Sequence, residues 1–211
     1  MAKKPNLESV LAAYKQLVAE AGRQPSLEAV AEKAGISPDQ LREFFGATHE
    51  MGRKAWADIV VAIQKQLQAS ETYQNYSARE KMIAYFFALF EALAPDRAFV
   101  AVTHADDDLI GEYKLAFRSH METLVNEGLA MSDLVDRLST SQYYPDLLWR
   151  LHQVLVSFWL DDTSPDYADT ERAIEIYSKL PLELMGHNLL DSFIETLTFS
   201  FERLHLDRFF R

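Results

Sequence analysis

The sequence predicts an all-α protein of nine or ten helices, on three observations. Apolar residues recur at helical spacing from Leu7 to Leu204, with no strand-like alternation and no internal repeat. Glycine and proline are scarce, seven of each in 211 residues, too few for a fold built of many tight turns. Where they do occur, together with Ser, Thr and Asp, the apolar period breaks.

Each element has its own signals. Leu7, Val10, Leu11, Tyr14, Leu17 and Val18 form the apolar stripe of a first helix, which Gly22 is placed to close in the left-handed conformation. Ser26 caps a short second helix over 27–34, and Gly35 stops it. Ser37 followed by Pro38 supplies a cap and a proline at the first helical position, opening a third helix that runs to Phe45. Thr48 caps a long fourth helix whose buried stripe is Trp56, Ile59, Val60, Ile63 and Leu67. Ser77 starts a fifth over 78–93, apolar nearly all round through Met82, Ile83, Tyr85, Phe86, Phe87, Leu89 and Phe90, as interior helices are. Pro95 breaks it, and a short helix over 97–103 follows. Asp106, Asp107 and Asp108 then open a long helix through Tyr113, Phe117, Met121, Leu124 and Val125, their carboxylates complementing the helix dipole. After a break near 139–145, a helix over 146–160 carries Leu148, Leu151, Leu155, Phe158 and Trp159 on one face. Residues 161–165 are a loop, and a helix over 166–180 ends at Pro181. The last helix carries Leu190, Phe193, Ile194, Leu197, Phe201 and Leu204.

Composition excludes several classes of function. At 48% hydrophobic and 25% charged residues the chain has the make-up of an ordinary folded protein. It has no cysteine, so disulfide scaffolds, thiolate zinc sites and cysteine nucleophiles are out. No apolar run approaches the ~20 residues that span a bilayer, and Met1-Ala2-Lys3-Lys4 leads into an amphipathic segment instead of a signal-peptide core. The expectation is a soluble, cytoplasmic protein with no membrane partner. Six histidines (His49, His104, His120, His152, His187 and His205) show no metal-binding spacing. His104 with Asp106 and Asp108 reads as a solvated helix start in preference to a metal corner. There is no glycine-rich phosphate loop and no GxSxG elbow. No catalytic residue, metal or cofactor is expected, and the chain is not read as an enzyme.

Charge divides the chain in two. The net charge is −11, yet residues 1–66 hold nine Lys/Arg against eight acids, while residues 67–211 hold twelve against twenty-four. Such asymmetry fits two parts with different partners.

Residues 26–45 carry the most distinctive pattern. Ala31 is small where two helices approach, Gly35 supplies the positive φ of a tight turn, and Ile36, Leu41 and Phe45 are spaced to bury against the first helix. This is the layout of a helix-turn-helix, whose second helix enters the major groove. The stretch 7–67 resembles the N-terminal domain of the tetracycline-repressor (TetR) family of regulators. The matching residues are Glu20-Ala21-Gly22, Ser26, Val30-Ala31, Ala34-Gly35-Ile36-Ser37, Leu41 and Phe45 before a capped fourth helix. The resemblance implies a ligand-responsive transcriptional regulator that binds double-stranded DNA as a homodimer. Its implied domains are a helix-turn-helix DNA-binding domain over 1–47 and a helical ligand-binding and dimerisation domain over 48–211. Ser37, Gln40 and Arg42 are expected at the groove, with Arg23, Lys33, Arg53 and Lys54 on phosphates.

This sequence departs from the family at Arg42, where an aromatic residue is usual, and at Thr48, where lysine is usual. Asp39 and Glu43 also make the third helix acidic, and carboxylates facing phosphates repel them. Residues 156–177, an aromatic helix end followed by Asp161-Asp162-Thr163-Ser164-Pro165 and a new helix start, resemble the ubiquinone-biosynthesis accessory protein family. That family implies the alternative function: a TetR-like fold that binds lipid or quinone and no DNA. Local chemistry accounts for the same residues, since Ser164-Pro165-Asp166 stops one helix and caps the next.

The resemblance also implies a small apolar ligand, for which Phe86, Phe90, Phe99, Tyr113, Phe117, Met121, Tyr144 and Trp149 are the candidate wall. Core packing explains each of them taken singly. For the homodimer interface the candidates are Phe158, Phe193, Leu197 and Phe201 on the two late helices.

Overall fold

The computed structural model describes residues 6–130 and 144–184, which contain helices and no strand. The elements are α1 (Leu7–Ala21), α2 (Leu27–Ala34), α3 (Pro38–Arg42), α4 (Thr48–Ala69), α5 (Ala78–Leu93), α6 (Arg97–Thr103), α7 (Asp107–Ala130), α8 (Tyr144–Asp161) and α9 (Ala168–Leu184). The predicted last helix, with Phe193, Leu197 and Phe201, lies outside the described residues. Contacts group the described chain into two units. One comprises 6–69 with 88–117, the other 70–87 with 118–130 and 144–184. No helix among the described residues is long and apolar enough to cross a membrane.

The first unit is organised around α1 and α4. Asn6 caps α1, its side-chain oxygen accepting from the Glu8 amide at 3.1 Å. Gly22 closes the helix at φ 63°, its N–H donating to the Val18 carbonyl. Trp56 on α4 is the centre of the core, with its ring centroid 4.8 Å from Tyr113 on α7 and 6.2 Å from Phe99 on α6. The edge of Tyr14 on α1 meets Phe99 at 6.0 Å. Aromatic pairs in such offset and edge-on arrangements contribute about 0.5–1.5 kcal/mol each beyond the area they bury. The indole N–H of Trp56 donates to Thr103 Oγ1 at 3.2 Å, and that hydroxyl donates onward to the Phe99 carbonyl at 2.9 Å. No buried polar atom in this chain of bonds lacks a partner.

Two further contacts fix α4 against α7. Arg53 Nε donates to the Asp108 carbonyl at 2.8 Å. Gly52 lets the helices close up, because a Cβ there would lie 2.6 Å from Tyr14 Oη and 2.7 Å from a Leu109 methyl.

In the second unit, Tyr85 on α5 stacks on His120 of α7 at 4.8 Å, and Tyr73 Oη lies 3.4 Å from His120 Nε2. Lys81 is buried beside them and pairs with Glu127 at 2.5 Å. Burial, then the positive Lys81, lowers the His120 pKa and so favours the neutral ring. Burial likewise raises the hydroxyl pKa values of Tyr73 and Tyr85, with Glu127 adding to the first and Tyr73 to the second.

The turn between α8 and α9 is held by Asp162, whose side chain is buried. One carboxylate oxygen accepts from the Ser164 amide (2.8 Å) and hydroxyl (2.6 Å), the other from the Thr170 amide (2.9 Å) and hydroxyl (2.6 Å). Burial raises its pKa, but these four bonds together outweigh it and hold the carboxyl down at about 2.

Several boundaries differ from the sequence expectations. The third helix ends at Arg42, three residues before Phe45; the Phe44 amide donates only three residues back, to the Leu41 carbonyl, which tightens the last turn. Thr48 is the first residue of α4 and not its cap. At the α8–α9 turn, Asp166 and Tyr167 adopt left-handed φ values of 54° and 58°, so α9 begins at Ala168 and the expected start at 166 is a kink. The α9 backbone then continues past Pro181 to Leu184; a proline removes one amide donor but does not forbid the next turn. Phe158 leaves the buried face of α8 and is 40% exposed. It lies ten residues beyond Leu148, which at ~3.6 residues per turn puts it about 80° off that stripe.

Candidate nucleic-acid interface

The α2–turn–α3 segment is built almost entirely from backbone rules. Ser26 Oγ accepts from the Ala29 amide at 3.2 Å and starts α2. At its end Gly35 stands at φ 70°, its N–H donating to the Glu32 carbonyl while the Ile36 amide donates to Ala31. This paired arrangement is the Schellman motif. Ser37 and Gln40 then close a reciprocal capping box on α3: Ser37 Oγ accepts from the Gln40 amide at 3.2 Å and Gln40 Oε1 from the Ser37 amide at 3.0 Å. Val30, Ala31 and Leu41 are fully buried and Phe45 nearly so, which seats the pair on its own unit. The opposite edge of α3 faces solvent, with Ser37, Asp39, Arg42, Glu43 and Phe44 exposed.

Electrostatics on that edge centre on Arg42. Its Nη2 donates to Glu28 Oε1 at 2.9 Å and its Nη1 to Asp39 Oδ1 at 3.1 Å. Glu28 lies fourteen positions earlier, on α2. The sequence reading missed it because only the turn brings the two residues together. Glu50 was also missed: it accepts from the Gly46 amide at 2.8 Å and fixes the entry to α4.

The other expected DNA-contact residues are spread around the same unit. Arg23 is exposed in the α1–α2 loop. Lys33 pairs with Glu20 at 3.4 Å across α1 and α2, and Lys54 pairs with Asp58 one turn along α4. Arg53 is the one whose guanidinium is already committed to backbone, at Asp108.

All eight candidate ligand-wall residues are buried, at 8% exposure or less. Phe90, Phe99, Tyr113 and Phe117 fall in the first unit; Phe86, Met121, Tyr144 and Trp149 fall in the second. Phe99 also borders a groove of about 680 Å³ with Leu11, Lys15, Pro95 and Asp96. No group of side chains able to hold a metal ion occurs among the described residues. His104 donates from Nδ1 to the Val100 carbonyl at 3.0 Å, and Asp106 caps α7 through the Asp108 amide.

Residues 81–199, more than half of the chain, match the family described as tetracyclin repressor-like, C-terminal domain. The chain belongs to the tetracycline-repressor-like family. A solved structure, that of the fatty acid degradation regulator FadR from Bacillus halodurans, superposes with a TM-score of 0.65 at 16% identity, covering 90% of this chain and 99% of its own. At that identity the likeness is one of fold. No curated protein matches the sequence. In this tetracycline-repressor-like chain the match begins in α5, so the family is carried by the C-terminal helices independently of the resemblance at 7–67.

Proposed function

We propose that the protein is a TetR-type transcriptional regulator that binds duplex DNA as a homodimer and responds to a small apolar ligand. In this reading residues 1–47 bind DNA and residues 48–211 bind the ligand and the second copy. The observation that carries it is the Schellman turn leading into a capped, solvent-facing α3 on a chain of this family. Ser37, Gln40 and Arg42 approach base edges; Arg23, Lys33, Arg53 and Lys54 serve phosphates. The Lys33–Glu20 and Lys54–Asp58 pairs are exposed and worth about 0–1 kcal/mol, so phosphate can replace either carboxylate at small cost. Phe86, Phe90, Phe99, Tyr113, Phe117, Met121, Tyr144 and Trp149 are the residues proposed for ligand binding, four in each unit, and Phe158, Phe193, Leu197 and Phe201 those proposed for the dimer. A regulator of this kind acts in the cytoplasm and needs neither catalytic residue nor cofactor.

Selection of genomic fragments by the purified full chain tests the reading. With three or four phosphate contacts from each copy of the homodimer, the logarithm of the binding constant should fall with log salt at a slope of about −5 to −7. No enriched fragment, and no salt dependence, overturns it.

One observation favours a second reading. Arg42, the main cation on α3, is already balanced by Glu28 and Asp39. That suits a TetR-fold accessory protein that binds lipid or quinone and leaves DNA alone. Native mass spectrometry separates the two: a co-purifying isoprenoid lipid, with no fragment enriched, replaces the regulator by the accessory protein.

A further inference from the structure

We infer that Arg42 and Asp39 act as one reading unit for a guanine–cytosine pair, so that the half-site under α3 carries a G·C pair at that position. This rests on the DNA-binding reading above. The two side chains are joined at 3.1 Å, Arg42 is held from its other side by Glu28 at 2.9 Å, and all three stay open to solvent (48%, 95% and 62% exposed). The guanidinium has five N–H donors, of which these contacts engage two, and each carboxylate keeps acceptor capacity. The outward edge of the pair is therefore donors beside an acceptor.

A G·C pair shows the complement in the major groove: N7 and O6 of guanine accept, and the neighbouring N4 of cytosine donates. An A·T pair does not fit. Its adenine N6 donor would meet the Arg42 donors, and the thymine methyl would lie against the Asp39 carboxylate. Charge points the same way. A lone carboxylate in the groove is repelled by phosphates, whereas Arg42 offsets part of that repulsion for Asp39, the cation being shared with Glu28. Holding the guanidinium from two sides also removes rotamer freedom before DNA arrives, and lowers the ordering cost on binding.

The pairing gives the two residues opposite signatures. Selection from a random duplex pool with the full-length chain should return a half-site containing an invariant G·C pair. Arg42→Ala should lose the preference at that one position and weaken binding about 10- to 100-fold, since it forfeits a bidentate base contact and leaves Asp39 unneutralised. Asp39→Asn should bind random-sequence duplex more tightly than the parent while discriminating less at the same position. Both positions are exposed, so unchanged thermal unfolding marks the variants as folded. A half-site with only A·T pairs beneath α3 overturns the inference alone. So does an Arg42→Ala variant that weakens all sequences equally, which is the behaviour of a phosphate contact. If no duplex is enriched by the parent protein, the DNA-binding reading falls and this inference with it.

Discussion

Adding one methyl group at Gly52 tests whether α1, α4 and α7 are locked together as described. The Cβ of an alanine there would lie 2.6 Å from Tyr14 Oη and 2.7 and 3.3 Å from the two Leu109 methyls. Neither neighbour has room to retreat. Tyr14 is fully buried with its hydroxyl donating to Gln24 at 2.7 Å, and Leu109 is 2% exposed. Alanine gains about 1 kcal/mol over glycine in a helix interior. Overpacking a filled core costs about 1–3 kcal/mol, and with two side chains struck at once the upper part of that range applies. Gly52→Ala should therefore lose about 1–2 kcal/mol net. Gly111→Ala on α7 is the matched control, since nothing lies within 4 Å of the new methyl. It should gain about 0.8–1 kcal/mol. Urea denaturation of the full chain at one protein concentration should show the midpoint moving down for the first and up for the second. Tyr14→Phe, by removing the struck hydroxyl, should recover part of the loss as a coupling of about 0.5 kcal/mol or more. A Gly52→Ala protein as stable as the parent refutes the close approach.

Other perturbations have equally definite signs. Asp162→Ala leaves the buried Thr170 amide and hydroxyl without their acceptor and should cost about 1–3 kcal/mol, read by denaturation at neutral pH. Because the folded carboxyl is held at about 2, below its ordinary 3.8, its stabilisation is complete above the ordinary value. It is lost as pH falls toward 2, so the gap between parent and variant should close on acidification. Thr103→Val removes the acceptor of the Trp56 indole N–H and should lose about 1–3 kcal/mol, with a shift in Trp56 fluorescence. Ser37→Ala breaks the capping box and should cost about 1 kcal/mol, visible as faster amide exchange in α3.

Much of the fold was legible because its local signals agree. Ser26, Gly35, Ser37-Pro38 and Ser77 each stand where the chain turns, and the helices over 27–34, 78–93 and 97–103 begin and end as predicted. What the sequence hid was set by distant partners or by backbone strain. Gly52 reads as a weak spot in a helix until Tyr14 and Leu109 are brought against it. Ser164 does serve the late helix, its Oγ accepting from the Asp169 amide at 3.1 Å, but the sequence hid the buried acceptor Asp162, which reaches forward eight residues to Thr170 across a left-handed pair no residue type announces. Arg42 could be nominated for DNA contact from its position alone, but its restraint by Glu28 depends on how the turn folds α2 back over α3.

That turn has an evolutionary consequence. No heavy atom lies within 4 Å of where a Cβ on Gly35 would be, so its shape is dictated by a torsion angle and two amide bonds instead of by side-chain volume. Residues on the outer edge of α3 can therefore drift without disturbing the path of the chain. Descendants of this gene could change the chemistry of that surface at positions 39, 42 and 43 while inheriting the mount intact.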